Sequence, residues 1–588
     1  MDLVLALIVL PVIGSLLLMV VTHIRMQYAI VSLVLFLSMV STFLLHDAGT
    51  VISAHLSDSF HFFIIVMDIA LLIYFLYQGK KFNNLKVMAL AAFQLLLYGY
   101  IETIAPSSNS ADIVVDSLSI FMFFIINAVG GIIVLFALKY MEEEPVSAFK
   151  KRLFISALLL FMSVMNVIVI ANSILLFFFL FEMTTLASYL LIAFRDDIIS
   201  RTNALRALWM NQVGGVVILL GALLALLSCE TLMFDTLIEH TGGVMILAVA
   251  FLAMAALVKG ASLPFEGWLL GAMVAPTPVS AMLHSATMVK IAPYLILKLA
   301  PALAMSLVGD MISIIGGLVF VVASYLALSR SMFKEILGYS TVALLGLMMA
   351  MAAIGTKESI ALAMAIMLFH ALSKALLFLS AGVLERTHHV KDIEDMKGMI
   401  MHSPQTVGFI LFGFVSLTLP PFGLFFGKLL AISSLASSLH THPIYLIVLL
   451  CVVIGSALMV LLYFKVASAL VSATSDTKIS ESQSISAGFQ IPLILLSVLI
   501  VLGAIGYVMM QGSSALMWLA VPIVLVLAIP LIIRLMDRYD RSVPYMCGEK
   551  EPFDSALIYF KISPKVEQWM YVLFIILFFA VAVIGVLS

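Results

Sequence analysis

Runs of about twenty apolar residues, each closed by a short polar break, recur along the whole chain, and a helix needs that length to cross roughly 30 Å of hydrocarbon. In lipid every backbone polar group must be satisfied within the segment, so such runs read as helices. The pattern predicts an all-α polytopic membrane protein with about 18 transmembrane helices. The first run begins at Met1-Asp2 with no cationic stretch ahead of it, and reads as a retained anchor rather than a cleaved signal peptide. Two runs are interrupted by proline. "VKGASLPFEGW" breaks after Lys259, at Gly260 and Pro264, and "LTLPPFGLFFGK" breaks ahead of Lys428. Paired discontinuous helices in two halves of a chain point to an ion site near the membrane midplane.

Composition agrees with that reading. The 588 residues are 64% hydrophobic and 11% charged, with a mean hydropathy of +1.21, whereas soluble domains carry about a quarter charged residues. A net charge of −2 with no basic face excludes a nucleic-acid surface. Lysine and arginine are unevenly placed: Arg25, Lys80, Lys81, Lys86, Lys139, Lys150 to Arg152, Arg195, Arg201 and Arg206 follow alternate spans, and the intervening connections have neither residue. The positive-inside bias then puts the basic loops in the cytoplasm and both termini on the outer side.

Three scattered cysteines, Cys229, Cys451 and Cys547, offer no spacing for zinc or an iron–sulfur cluster, and no glycine-rich nucleotide fingerprint is present. The expectation is a chain with no cofactor of its own, driven by a partner subunit or an ion gradient.

Function then rests on the ionisable residues at membrane depth, which are costly in hydrocarbon and face a bundle interior or a water-filled path. Glu182 lies midway along "ILLFFFLFEMTTLASYLLIAF", Lys259 ends a run at the first break, and His370 and Lys374 share one helix face. Each could instead be a structural hydrogen-bonding residue. Lys290 and Lys298 read as helix-end lysines that snorkel to the interface, Glu142 to Glu144 and Arg386 to Lys397 as solvated loops, and the 36 methionines as apolar packing.

"DSLSIFMFF…FALKYM", the Glu182 segment, "APTPVSAMLHSATMVK", "FKEILGYSTVALLG", "HALSKALLFLSAG" and "LPPFGLFFGK" together resemble the antiporter-like proton-pumping membrane subunits. That superfamily spans complex I, energy-converting and formate-coupled hydrogenases, and multisubunit Na⁺/H⁺ antiporters of the Mrp type. The resemblance covers roughly residues 115–470. It implies two inverted five-helix repeats, each with a broken helix. Residues 1–110 would be extra N-terminal helices, 111–300 the first half with its break near 259–272, 301–472 the second half with its break near 418–430, and 473–588 C-terminal helices with a cytoplasmic loop at 537–565.

The resemblance also implies roles. Glu182 and Lys259 would form a switching ion pair, His284 a relay histidine, Lys334, His370 and Lys374 further relay groups, and Lys428 the terminal group, all on one polar axis along the membrane plane. Implied partners are other membrane subunits and peripheral redox subunits holding iron–sulfur and nickel–iron centres, in a prokaryotic plasma membrane. H⁺ is the implied cargo, with Na⁺ left open. Three positions depart from the family pattern: Ile366 replaces a second histidine one turn before His370, Met332 an acid before Lys334, and Leu429 an acid beside Lys428. The proline-rich segment holding Pro544, Pro552 and Pro564 leaves no room for a long lateral helix and resembles the hydrogenase-type relatives.

Overall fold

The structure is a computed structural model that describes residues 1–49, 51–105, 110–239, 244–419, 422–440, 442–471, 485–510 and 562–587. Cys547, the 537–565 loop up to residue 561, and Pro420 and Pro421 of the second break lie outside the described residues. Among the described residues fifteen helices are long and apolar enough to cross a membrane, with three shorter apolar helices beside them. The expected count of about 18 also took in the apolar stretch at 515–535, which lies outside the described residues.

Four helices come first: α1 (Asp2–Val20), α2 (Ile24–Ala48), α3 (Asp58–Lys81) and α4 (Leu85–Ile104). Next is α5 (Ser117–Glu142), with a π-helical turn at Ile125–Val129. A series of five segments then occurs twice. The first is α6 (Ala148–Ile168), α7 (Ile174–Ile192), α8 (Ile198–Cys229), a broken pair α9 (Val244–Lys259) and α10 (Glu266–Gly271), and α11 (Thr277–Leu303). The second is α12 (Leu307–Ser329), α13 (Phe333–Ile354), α14 (Lys357–His388), a broken pair α15 (Pro404–Thr418) and α16 (Gly423–Ser438), and α17 (Tyr445–Val471). The third segments are both 32 residues long and the fifth both 27. An odd number of crossings starts the second copy from the opposite face, which makes the repeats inverted. Helices α18 (Ala487–Met510) and α19 (Pro564–Leu587) complete the described chain.

Packing follows membrane rules, in which small residues let helices approach and a few polar groups join them. Asn166 and Ser156 on α6 donate to the Leu7 and Ser15 carbonyls of α1, at 2.8 and 2.9 Å. Helix α13 is buried without a gap from Ile336 to Ile354, and Gly316 and Gly346 let α12 and α13 meet backbone to backbone, since a Cβ on either would collide with the other's carbonyl. A two-stranded ribbon, Ile52–Ala54 with Ile113–Val115, ties the α2–α3 connection to the chain entering α5. Helix α19 lies over the first break, where Tyr571 donates to Glu266 at 2.8 Å and Phe578 packs on Phe265. The basic connections share one face of the bundle: Glu144 pairs with both Arg195 and Arg386, so Glu144 and Arg386 are interhelical ties, not the freely solvated loop residues expected.

Candidate functional site

The first break forms where the sequence cannot continue a helix. Pro264 has no amide to donate, Ala261 turns left-handed at φ +51, and the Gly260 backbone lies so close to Ala292 that an added Cβ would come within 2.9 Å. The freed carbonyl of Val258 receives the Trp268 indole at 3.1 Å, satisfying an exposed helix end at membrane depth. Lys259 closes α9 at this point, fully buried. Its Nζ donates to the Phe181 carbonyl and the Thr185 hydroxyl of α7, at 3.1 and 3.0 Å, and sits 3.8 Å above the Phe181 ring.

Glu182 is one residue from Phe181 but turns elsewhere. Oε1 accepts from Gln94 of α4 at 2.8 Å, while Oε2 is buried with no partner among the described residues. The two residues interact electrostatically, yet no Glu182–Lys259 ion pair within 4.0 Å occurs among the described residues. The expected ion pair is thus open here, with each partner held by neutral groups. Gly215 of α8 makes room for the carboxyl; a Cβ there would overlap Oε1.

Between the breaks, α11 carries a third interruption, after which the helix resumes at Ile291 with Pro293 in its first turn. Residues Met282–Ala286 form a π-turn, Thr287 adopts φ −122 and ψ −107, and a 3₁₀ turn runs from Met288 to Lys290. π-turns inside helices recur at functional sites. His284 lies within this one, buried, with neither ring nitrogen partnered among the described residues and its ring 4.5 Å from that of Phe378. Lys290 is fully buried and its Nζ lies 2.6 Å from His370 Nδ1. The expectation that Lys290 snorkels to the interface is therefore wrong. It occupies the middle of α11, flanked on both sides by apolar turns, so its four-carbon stem reaches inward to α14. The signal was available, because "SATMVKIAPYLI" has no loop near enough for a helix-end lysine. Lys298, also expected to snorkel, is instead held within the protein: its Nζ bonds the Ala171 carbonyl just beyond α6 and lies over the Phe234 ring.

One turn along α14 from His370, Lys374 donates to the Leu337 carbonyl at 3.0 Å and to the Ser340 hydroxyl. Ser373 beside it bonds Ser416 of α15 at 2.6 Å. The next carbonyl, Leu417, accepts from Lys428 of α16 at 3.0 Å. Two hydrogen bonds, Ser373 to Ser416 and Lys428 to the Leu417 carbonyl, thus tie α14 and α16 to the end of α15, with Lys374 next to Ser373 in the chain. Ile366, standing where a second histidine was expected, packs in the core beside Gly427, and the exposed Leu429 does not face the site.

Lys334 stands apart from this buried row. It pairs with Glu385 at 2.5 Å and Thr277 at 2.8 Å on the basic face, beside a cavity of about 310 Å³ lined by Arg195, Asp197, Lys334 and Glu385 among others. Its partner comes from the far end of α14 and not from position 332, which no local spacing could have revealed. Asp197 at this mouth caps α8, and the Ser200 amide and hydroxyl hold its carboxyl below the usual aspartate range. Buried lysine alone does not make a site: Lys465 is equally buried, but it donates to the Leu328 and Arg330 carbonyls and caps the end of α12. Among the described residues no cluster of three or more His, Cys, Asp or Glu could hold a metal.

Two family models match the chain. One is described as NADH:quinone oxidoreductase/Mrp antiporter, transmembrane, over residues 171–459, and the other as NADH-ubiquinone oxidoreductase (complex I), chain 5 N-terminus, over 102–149. Na⁺/H⁺ antiporter subunit A1 of Staphylococcus aureus (strain JH9) is 30% identical over 338 residues, 54% of this chain and 42% of the relative. The match thus spans less than half of that relative's length. Among solved structures, a chain of the Mrp complex from Dietzia sp. DQ12-45-1b has a TM-score of 0.67 at 18% identity, covering 90% of this chain and 98% of that one. A chain of the membrane-bound sulfane sulfur reductase, an archaeal respiratory membrane complex, has a TM-score of 0.66 at 18% identity, covering 86% and 94%. At that identity these two likenesses speak for the fold. With the repeated five-segment architecture and its two broken helices, the matches establish that this chain belongs to the superfamily of antiporter-like membrane subunits shared by NADH:quinone oxidoreductases and Mrp antiporters.

Proposed function

We propose that the chain is the proton-translocating membrane subunit of a multisubunit complex, in which protons move along Glu182, Lys259, His284, Lys290, His370, Lys374 and Lys428 while partner subunits supply the drive. The observation that carries this reading is the row of buried amines and imidazoles through both repeats: the lysines and His370 are held by neutral oxygens or by another basic group, and His284 lies between them with neither ring nitrogen partnered among the described residues. A buried amine held this way is poised between charge states, since desolvation favours the neutral form and an approaching carboxylate the charged one. Movement of Glu182 toward Lys259 would load the amine, and movement away would release its proton along the row. Imidazoles exchange protons near neutral pH and can link the steps. Lys334 and Glu385 serve as the mouth at the basic face, where Thr277 opens the same helix that carries His284.

The drive separates two versions of the proposal. A redox-driven complex of the energy-converting hydrogenase type fits the proline-rich C-terminal segment. Na⁺/H⁺ exchange of the Mrp type is favoured by the likeness to an antiporter subunit A1. Lys428→Ala in the purified complex tests the shared part: assembly persists while transport falls at least tenfold. In the redox-driven version electron transfer by the partners continues, uncoupled. Transport that rises with a Na⁺ gradient, in a complex without metal centres, selects the exchanger. Wild-type transport by Lys428→Ala refutes both.

A further inference from the structure

The N-terminal hairpin α3–α4, of which only the last residues from Glu102 on fall within a family-model match, lies against the Glu182 helix and its neighbour and places an acid in the protein interior. Asp68, in the middle of α3, is fully buried, and neither carboxyl oxygen has a hydrogen-bond partner among the described residues. It lies within electrostatic range of both Glu182 and Glu102. Along α4, Gln94, Tyr98 and Glu102 follow at intervals of four, which puts them on one stripe. Gln94 bonds Glu182 at one end of the stripe. Tyr98, buried and stacked on Phe178, lies within electrostatic range of both Asp68 and Glu102. Glu102 is half-buried at the end of the hairpin opposite Lys80 and Lys81.

More buried polar atoms in this region lack partners among the described residues: Glu182 Oε2, Gln94 Oε1, and both side-chain polar atoms of Gln212 on α8. A hairpin needed only for packing would carry apolar or paired residues here, because an unpaired buried carboxyl is costly in a membrane interior and marks a path for charge.

We propose that Glu102, Tyr98 and Asp68 form a lateral proton branch through the hairpin that exchanges protons with Glu182. The branch rests on the reading of Glu182 as a proton carrier. In the first step the Tyr98 hydroxyl proton passes to an Asp68 carboxylate oxygen as the phenol oxygen takes the proton of the Glu102 carboxyl. Glu102 is left as carboxylate, Asp68 as carboxylic acid, and Tyr98 unchanged. In the second step the Asp68 carboxyl gives its proton to Glu182 across the gap lined by Gln94 and Gln212, whose donors and acceptors suit a bridging water. Each hop exchanges one carboxyl for one carboxylate, so the total charge is conserved; the first hop moves the negative charge from buried Asp68 to half-buried Glu102, which can take up a proton at its face. Glu182 thereby has access to the face opposite the basic loops without using the lysine row.

The test is proton transport by the full complex in liposomes, with infrared difference spectra of the carboxyl C=O stretch. Asp68→Asn should lower transport about tenfold with the complex assembled, Asp68→Glu should restore most of it, and Tyr98→Phe and Glu102→Gln should each slow it severalfold. The C=O band lost in Glu182→Gln should move in frequency in Asp68→Asn, which a packing role would not cause. Wild-type transport by Asp68→Asn, with Glu182→Gln blocked, overturns the branch alone. Full transport by both variants overturns the underlying reading as well. If Asp68→Asn fails to assemble, the half-buried Glu102 decides: wild-type transport by both Glu102→Gln and Tyr98→Phe overturns the branch.

Discussion

Gly215→Ala tests the position of Glu182 without touching a single titratable group. A Cβ at residue 215 would overlap both Glu182 Oε1 and Gln94 Nε2, and would lie 3.1 Å from the Glu182 carboxyl carbon. Neither neighbour can hold its place, so the 2.8 Å bond between them is lost or rebuilt. Overpacking of this sort costs about 1–3 kcal/mol, and the gain from replacing glycine with alanine inside a helix offsets about 0.8–1.0 kcal/mol of it. The net loss of stability is therefore small, about 0–2 kcal/mol, and the complex should assemble. Transport should suffer far more, because a misplacement of about 1 Å in a reacting group can cost on the order of a hundredfold. Gly99→Ala is the control, since a Cβ on that α4 glycine meets nothing within 4 Å; it should transport at the wild-type rate and melt slightly higher. The measurements are dye-reported proton uptake in liposomes and thermal unfolding. Full transport by Gly215→Ala would refute the claim that the seat of Glu182 governs loading of Lys259.

Four further outcomes are expected. Lys259→Met and Lys259→Arg should both block proton uptake, because arginine keeps a charge it cannot release; wild-type uptake by the arginine variant would rule out proton carriage there. Lys290→Met leaves His370 Nδ1 without its partner and should reduce uptake at least tenfold while blue-native gels show an intact complex. At the mouth, Lys334→Gln and Glu385→Gln should each slow uptake only a few-fold, and the double variant should be little worse than either, as paired groups are non-additive; additive losses would mean that the two act separately. Cysteines introduced beside Lys81, Lys151 and Arg201 should label from one side of the membrane and those beside His55 and Glu239 from the other, and labelling of both sets from one side would overturn the topology.

The broken helices were legible because proline and glycine act locally: Gly260 and Pro264 interrupt the chain wherever it folds. The lengths of the apolar runs likewise announced the membrane helices, and the match in length between α8 and α14 is visible once the repeat is aligned. Partnership was not legible. Glu385 lies 51 positions from Lys334, and Gln94 lies 88 positions from Glu182. Both pairs depend on how helices dock, which hydrophobic periodicity does not specify. The π-turn at His284 was hidden for a related reason, since no glycine or proline stands within Met282–Lys290 and the turn packs against α14. Lys290 was misread because a lysine after a long apolar run was treated as a helix end, when a further apolar turn follows it.

The two breaks look dissimilar in sequence, with Lys259 before its proline and Lys428 after, yet the structure gives each lysine a similar task. A helix that ends in the membrane presents unsatisfied carbonyls, the negative pole of its dipole. Lys428 reaches back across the second break to Leu417, at the end of α15. Lys259 is itself the last residue of α9, so it resides at that pole without reaching, and its Nζ is free to extend to Phe181 and Thr185 on α7. The carbonyl pole favours a cation in both repeats, while burial disfavours it. Among the described residues, the first repeat alone adds an acid within electrostatic range of its break lysine, at Glu182. The Lys428 end has no such acid among its hydrogen-bond partners, and the exposed Leu429 offers none. In the proposed mechanism, loading by approach of a carboxylate would therefore belong to the first repeat, and the second would pass on what the row delivers. The order of events follows from that asymmetry: a change that holds Glu182 away from Lys259 should stop transport at its start, with the lysines of the second repeat unaltered.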